Sequence, residues 1–178
     1  MRIGIDISQI AHDRTGVANY VRDLVRNMIL NDKENEYILF FSSLRKSFKL
    51  SSLGFDSKPQ NVTIKTFKFP PIFLERLWNK FHHFPIENFI GDVDIFITSD
   101  WIEPPTKKAK KVTILYDLVI YKYPEETHPR IVSVQKRKLQ WAKKESDVFI
   151  CISQSTKEDA IKILDIPANK LKVIHPGI

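Results

Sequence analysis

Apolar residues in this chain recur with period two in some stretches and with the helical period in the stretches between them, and the two kinds alternate almost from end to end. Residues 3–8 form a β-rich alternating run. A polar, glycine-bearing stretch covers residues 9–16. Val17, Tyr20, Val21, Leu24, Val25, Met28 and Ile29 then recur on one helical stripe that closes near Asn31 and Asp32. Residues 37–42 read as a second, buried strand. Strand, glycine-bearing loop, helix and strand in that order make the βαβ unit of a parallel sheet.

The alternation continues downstream. Residues 43–60 read as loop with some local helix, and residues 62–67 as a third strand. Pro70-Pro71 opens a helix whose apolar positions are Leu74, Leu77, Trp78 and Phe81. Residues 93–98 and 111–115 are further strands, parted by a loop over 99–110, and residues 117–128 are irregular. Pro129 opens a helix through Glu145 carrying Ile131, Val134, Leu139, Trp141 and Ala142. Residues 147–152 form a strand. Ser155-Thr156-Lys157-Glu158 fits a capping box, in which the serine oxygen accepts a backbone N–H and the glutamate reaches back. That helix runs to about Asp165 and Ile166-Pro167 stops it, leaving residues 170–174 as the last strand. The expected architecture is a doubly wound, mostly parallel α/β sheet flanked by helices, Rossmann-like, in one domain over residues 1–178.

Composition narrows the class. A length of 178 residues with 43% hydrophobic content suffices for one real core and not for two large ones. The single cysteine, Cys151, excludes an intrachain disulfide. It lies in the apolar run Val148-Phe149-Ile150-Cys151-Ile152 and reads as a small buried hydrophobe, which fits a reducing, cytoplasmic setting. The first residues are too short an apolar run for a signal peptide, and no window approaches the length of a membrane span. The expectation is a soluble or surface-attached protein. The net charge of +7 attracts phosphates of any kind, whether on nucleotides, nucleic acid or lipid heads. Nucleic acid is disfavoured, because the basic residues show neither an RNP-like aromatic pattern nor a helix-turn-helix.

In a doubly wound sheet, ligands bind outside the carboxyl ends of the strands. Those ends are residues 8–16, 98–101, 116–118 and 153–155, and they should share one edge. The first loop holds Asp13-Arg14-Thr15-Gly16 at a helix start, where backbone N–H groups and the dipole favour an anion and Gly16 permits close approach. It reads equally as a plain turn into a helix. Asp117 follows directly on a β-run and is either surface charge or a site carboxylate, with Glu125, Glu126 and His128 nearby. These edge loops and the helix start contain Thr15, Gly16, Asn19, Ser99, Asp100, Tyr116, Asp117 and Ser153. His82 and His83 are adjacent, so on a helix they diverge by roughly 100°. No metal-ligand spacing, Walker loop, G-x-G-x-x-G or G-x-S-x-G elbow is present.

Two segments stay open. Residues 70–90 carry Phe73, Trp78, Phe81, Phe84 and Phe89 beside Arg76, Lys80 and two histidines. They read either as a core helix or as aromatics dipping into a membrane interface. Lys136-Arg137-Lys138 with Lys143-Lys144 reads as a solvated helix face.

The order of motifs resembles a known family. Tyr116-Asp117-Leu118, Tyr123-Pro124-Glu125, a basic helix, Ser146-Asp147 followed by Val148 to Asp159, Asp165-Ile166-Pro167, and Lys170 to Ile178 together resemble the N-terminal domain of group 1 (family 4) retaining glycosyltransferases. The usual text there is H-D-L, P-E, A-D-x-I-I-x-V-S-x-x-[ST]-K-x-D-L, and G-I-P-x-x-K-I-x-V-I-x-x-G-V-D. Thr15-Gly16-Val17-Ala18-Asn19-Tyr20 is similar to the family's T-G-I-G-R-Y helix start. The resemblance implies the GT-B fold, with two Rossmann-like domains facing across a cleft. The N-terminal one holds mostly the acceptor, a sugar or a lipid-linked molecule. The C-terminal one holds mostly the nucleotide-sugar co-substrate, through a basic residue and an E-x7-E pair. The resemblance also implies substrate contact for Thr15, Gly16, Asn19, Ser99, Asp100 and Ser153 and a part in the chemistry for Tyr116 and Asp117. No metal or other cofactor is implied.

It further implies that the chain stops where the donor-binding domain would follow, so that this domain is the expected partner. Residence at the inner face of an anionic membrane is also implied. Two departures stand out. The family's histidine before Asp-Leu is Tyr116 here, which can hydrogen-bond but cannot carry a proton near neutral pH. The usual A-D is Ser146-Asp147. Without the resemblance, the residues alone also allow a non-enzymatic, flavodoxin-like module for a phosphate-bearing ligand.

Overall fold

The computed structural model describes residues 1–12 and 14–177. Among them, seven strands form one sheet: β1 (Arg2–Asp6), β2 (Glu36–Ser42), β3 (Val62–Phe67), β4 (Ile95–Thr98), β5 (Lys110–Leu115), β6 (Val148–Cys151) and β7 (Leu171–Val173). They lie in the order β3-β2-β1-β4-β5-β6-β7, and every neighbouring pair is parallel. Ile3 of β1 sits opposite Tyr37 on one side and Ile95 on the other. The chain winds outward from β1 to β3, returns to lay β4 against the free side of β1, and continues outward to β7. The loops leaving β1 and β4 therefore diverge, and a crevice opens between them at the carboxyl edge.

Four of the six connections carry α-helices, those between β2 and β3 and between β4 and β5 being loops: α1 (Gly16–Asn31), α2 (Pro71–Leu74), α3 (Glu87–Ile90), α4 (Val119–Lys122), α5 (Pro129–Glu145) and α6 (Gln154–Leu164). Thr15 caps α1 by accepting the Ala18 N–H at 3.1 Å, and its side-chain oxygen thereby satisfies one donor of the first turn. The buried stripe of α1 is Val21, Val25 and Ile29. It packs on the face of β2 that carries Tyr37, Leu39 and Phe41. The alternate residues Ile38 and Phe40 face the opposite layer, against Trp78, Ile90 and Phe96. A strand covered on both faces must be apolar at every position, which is why β2 reads as an unbroken hydrophobic run. A third cluster joins Leu115, Phe149 and Cys151 to Leu139 and Ala142 of α5 and Ala160 and Leu164 of α6. Each fully buried valine, leucine, isoleucine or phenylalanine among them contributes about 1.5–3 kcal/mol relative to exposure.

The doubly wound parallel sheet is as the alternation predicts, and several local readings are corrected. β1 ends at Asp6, because the chain turns there into a 3-10 turn at Ser8–Ala11. Residues 117–128 contain α4 and a 3-10 turn at Pro124–Glu126. The cap of α6 is Ser153, which accepts the Thr156 N–H at 3.0 Å; Ser155 already lies inside the first turn, so the capping box expected at 155–158 does not form. α2 continues as a π-helical stretch over Glu75–Lys80. Trp78 is wholly buried, whereas Phe73, Phe81 and Phe84 are exposed, so the 70–90 segment contributes both to the core and to the surface. Lys138 is only 2% exposed and does not belong to a solvated face. Cys151 is buried, and burial pushes its thiol up to about 11, consistent with a packing role.

Gly4 fixes how closely β1 meets the layer beneath it. A Cβ there would stand 2.8 Å from Ile90 Cδ1 and 2.8 Å from Phe96 Cδ2. Gly4→Val is expected to cost about 1–3 kcal/mol by overpacking, seen as a lower denaturant midpoint with an unchanged slope.

Candidate functional site

The carboxyl edge of the sheet carries three adjoining depressions. The largest, about 660 Å³, lies between the N-terminus of α1 and the chain after β7. Its walls include Thr15, Gly16, Asn19, Tyr116, Asp117 and His175. A Cβ on Gly16 would meet nothing within 4 Å, so the first turn of α1 faces open space. Tyr116 forms part of the wall and is held on three sides. Its hydroxyl is 2.9 Å from Ser99 Oγ, its ring meets Tyr20 edge-on at 5.7 Å, and its carbonyl accepts from Thr156 Oγ1 at 3.0 Å. Tyr20 in turn donates to the Ile174 carbonyl at 3.1 Å, tying α1 to the last segment of the groove. Burial pushes the Tyr116 phenol well above its ordinary value, so it stays protonated at any physiological pH.

The second depression, about 270 Å³, opens at the crevice between β1 and β4. Gln9, His12 and Asp100 supply polar groups there, while Phe69, Leu74 and Trp101 supply apolar walls. The third, about 370 Å³, runs along α5 and is shared by Asp100, Tyr116, Asp117, Gln135 and Lys138. Asp117 is exposed and its carboxylate accepts the Val119 N–H at 3.1 Å, which fixes the turn into α4.

Beneath these depressions lies a set of buried charges. Lys138 donates to the Ser99 carbonyl at 2.7 Å and stands 3.8 Å from Glu103. Lys111 stands 3.8 Å from the same carboxylate. Thr98 and Thr113 donate to Glu103 at 3.1 and 3.0 Å. Asp6, at the end of β1, is 0% exposed. One of its oxygens accepts the Ser8 N–H at 2.9 Å, and the other has no hydrogen-bond partner. Burial raises its pKa to about 6, against lowering by the Ser8 hydrogen bonds and by Lys138. Burial also raises Asp100 and lowers Lys138. A carboxyl pair beside one buried lysine, at the edge where ligands bind, is the kind of perturbed cluster that marks functional sites.

The sequence-predicted residues fall into two groups. Thr15, Gly16, Asn19, Tyr116 and Asp117 line the large groove together, and Asp100 joins Tyr116 and Asp117 in the depression along α5. Ser99 is buried and acts on the groove through the Tyr116 hydroxyl. Ser153 is occupied in capping α6, bonding Thr156 through its N–H and its hydroxyl. Asp13 and Ile178, which belong to the helix-start and carboxyl-terminal motifs, lie outside the described residues. Gln9, His12 and Trp101 were not singled out from the sequence, and neither were Asp6, Glu103 and Lys111. Asp6 could have been found, since a carboxylate closing a central buried strand needs a partner or a proton. Among the described residues, no group of three or more His, Cys, Asp or Glu side chains could hold a metal ion, and no helix is long and apolar enough to cross a membrane.

An all-parallel doubly wound sheet with its depressions at the carboxyl edge defines a Rossmann-like ligand-binding domain. The sequence model of the family described as Glycosyltransferase Family 4 matches residues 14–178, and the chain belongs to that family. Comparison with curated protein sequences returns no match.

The Asp6 carboxyl gives a measurable pH signature. Its folded pKa of about 6 exceeds the ordinary 3.8, so the folded state binds the extra proton and stability falls as pH rises between those values. Asp6→Asn keeps an acceptor for the Ser8 N–H and should abolish that fall. The variant is expected to gain on the parent by up to about 3 kcal/mol between pH 4 and pH 7, read from urea unfolding at both values. Parallel pH profiles for the two proteins would refute the assignment.

Proposed function

We propose that this chain is the acceptor-side half of a retaining GT-B glycosyltransferase, with the nucleotide-sugar held mainly by a second Rossmann-like domain facing the carboxyl edge. The observation that carries this reading is the groove of about 660 Å³ above Gly16, lined by the α1 N-terminus on one side and Tyr116 and Asp117 on another. A helix N-terminus with open space above it suits the phosphates of a sugar nucleotide, since its free N–H groups and dipole favour negative charge. Tyr116, locked by Ser99 and Tyr20, offers a fixed neutral hydroxyl to the sugar being transferred. It positions and does not move a proton. The exposed Asp117 carboxylate beside it favours the positive charge that develops as the bond from sugar to phosphate breaks.

The crevice between β1 and β4 is the proposed acceptor pocket. Trp101 and Phe69 give flat apolar walls to a sugar ring or an aliphatic chain, while His12, Gln9 and Asp100 supply hydrogen-bonding groups. Such a reaction calls for no metal from this domain, and the sugar nucleotide enters as co-substrate. Work at a cytoplasmic membrane face fits an acceptor carried by a lipid.

Gly16→Leu tests the groove without disturbing the fold, because nothing surrounds the position. In the protein carrying both domains, transfer from the sugar nucleotide is expected to fall about tenfold or more, with the melting temperature unchanged. This chain alone should bind the sugar nucleotide weakly and transfer nothing. Turnover by the chain alone, or full activity of the Gly16→Leu protein, would overturn the reading.

A further inference from the structure

Across α1 from the large groove, two further hollows lie between that helix and the chain that leaves β2. One, about 410 Å³, is walled by Arg22, Arg26, Ser51 and Gly54. The other, about 320 Å³, is walled by Lys46, Phe48 and Lys49. They share Ile10 and Ser52, so they form one continuous basic groove.

The fold places its cations. Arg22 and Arg26 stand four positions apart on α1 and so project from the same side of the helix. Arg22 is steadied by donating to Asn19 at 2.7 Å. Arg26 packs against Gly54, which follows a 3-10 turn at Leu50–Leu53. A Cβ on Gly54 would stand 2.9 Å from Arg26 Nε, and the φ of +74° is one that other side chains rarely adopt. Glycine is thus what lets the guanidinium approach the turn. Among the described residues Arg26 has no hydrogen-bond or ion-pair partner, so its donors are open to a ligand. Asp23 is the carboxylate on these walls, and it lies 3.4 Å from Arg22 Nε. Phe48, half-buried and tilted against Phe41 at 5.4 Å, adds an apolar patch of the kind that the C–H face of a sugar ring covers.

This groove meets the β1–β4 crevice at the Ser8–Ala11 turn. Ser8, Gln9 and His12 line the crevice, whereas Ile10 and Ala11 line the groove. The sign of the charge changes across that turn, from the Asp100 carboxylate in the crevice to the arginines and lysines beyond it. A polymer spanning both needs a hydroxyl-rich end without negative charge and an anionic body. A glycan whose inner sugars carry carboxylates or phosphates meets both needs. A nucleic acid, with a phosphate at every step, would set one against Asp100.

We propose that this groove binds an anionic glycan, the body of an acceptor whose uncharged terminal sugar enters the crevice. Arginine and lysine side chains pair with the carboxylates or phosphates through charge-assisted hydrogen bonds. The crevice end rests on the acceptor-side reading above, whereas the groove stands on its own walls. Failure of the transfer reading would leave binding in the groove unchanged, and failure of that binding would leave the Gly16→Leu result unchanged.

The test is calorimetric titration of the chain with a galacturonate hexamer, the methyl ester of that hexamer and a phosphate-bearing mannose oligomer. At least one charged oligomer should bind, and the tighter of the two identifies the anionic group. The uncharged ester should bind about tenfold more weakly, and added salt should narrow the gap. Arg22→Gln with Arg26→Gln should lower affinity for the charged oligomer about tenfold at an unchanged melting temperature. The same loss of charge on a remote face, Lys162→Gln with Lys172→Gln, should change it by less than about twofold. Filling of the crevice end should shift the emission of Trp101, a change that Trp101→Phe removes. No binding of either charged oligomer, equal binding of the ester, indifference to the arginine pair, equal loss from the remote pair, or binding that leaves Trp101 emission unaltered would each overturn the proposal. So would tighter binding of a uridylate oligomer than of either glycan.

Discussion

Glu103 places a carboxylate where no water reaches, and the carboxyl edge is organised by the groups that compensate it. Its oxygens accept from Thr98 of β4 and Thr113 of β5, and Lys111 and Lys138 flank it at 3.8 Å. Its backbone N–H donates to Asn79. One residue therefore couples two central strands, α5 and the continuation of α2. A buried charge tolerates this only while every partner stays in place, and losing one typically costs about 3–5 kcal/mol. The coupling extends to the groove. Lys138 also donates to the Ser99 carbonyl, and the Ser99 hydroxyl meets that of Tyr116. The position of the groove tyrosine is thus tied to the buried Glu103 through Lys138 and Ser99.

This arrangement bears on the exchange of histidine for tyrosine. A phenol raised by burial cannot share the proton traffic of an imidazole, but it can be held more firmly, because its ring is packed against Tyr20 and its hydroxyl is anchored. The perturbed acids at this edge are Asp6 and Asp100, which sit deeper and toward the β1–β4 crevice. Around Tyr116 the groove is accordingly a place of fixed hydrogen bonds, and the acids raised by burial lie toward the β1–β4 crevice.

Much of this was legible in the sequence. β2 and β6 show as apolar runs because both faces are covered, and α1 and α5 show their stripes because one face is not. Local rules erred where two of them competed. Ser155 fits a capping box, but Ser153, two residues after the end of β6, takes the cap by accepting the Thr156 N–H. Ile7 and Ser8 extend an alternating run, but Asp6 Oδ1 captures the Ser8 N–H and turns the chain. What could not be read were pairings across long separations. Lys138 looks solvated until Ser99, thirty-nine positions earlier, supplies its acceptor. Glu75 and Asn79 look like the outward face of a helix until Arg130, Arg137 and Glu103 draw them inward. The partner of each lies on another element, and periodicity carries no information about it.

The strand order also sets a schedule for synthesis. β1 is made first, yet it pairs on its second side with β4, whose residues come ninety positions later. Until β4 is made, that side of β1 has no strand to pair with. The groove comes later still. Tyr116 arrives with the loop after β5, and the wall contributed by residues 174–177 forms only once the seventh strand has docked. The groove is therefore complete only when both ends of the sheet order are in place, from the start of α1 to the segment after β7.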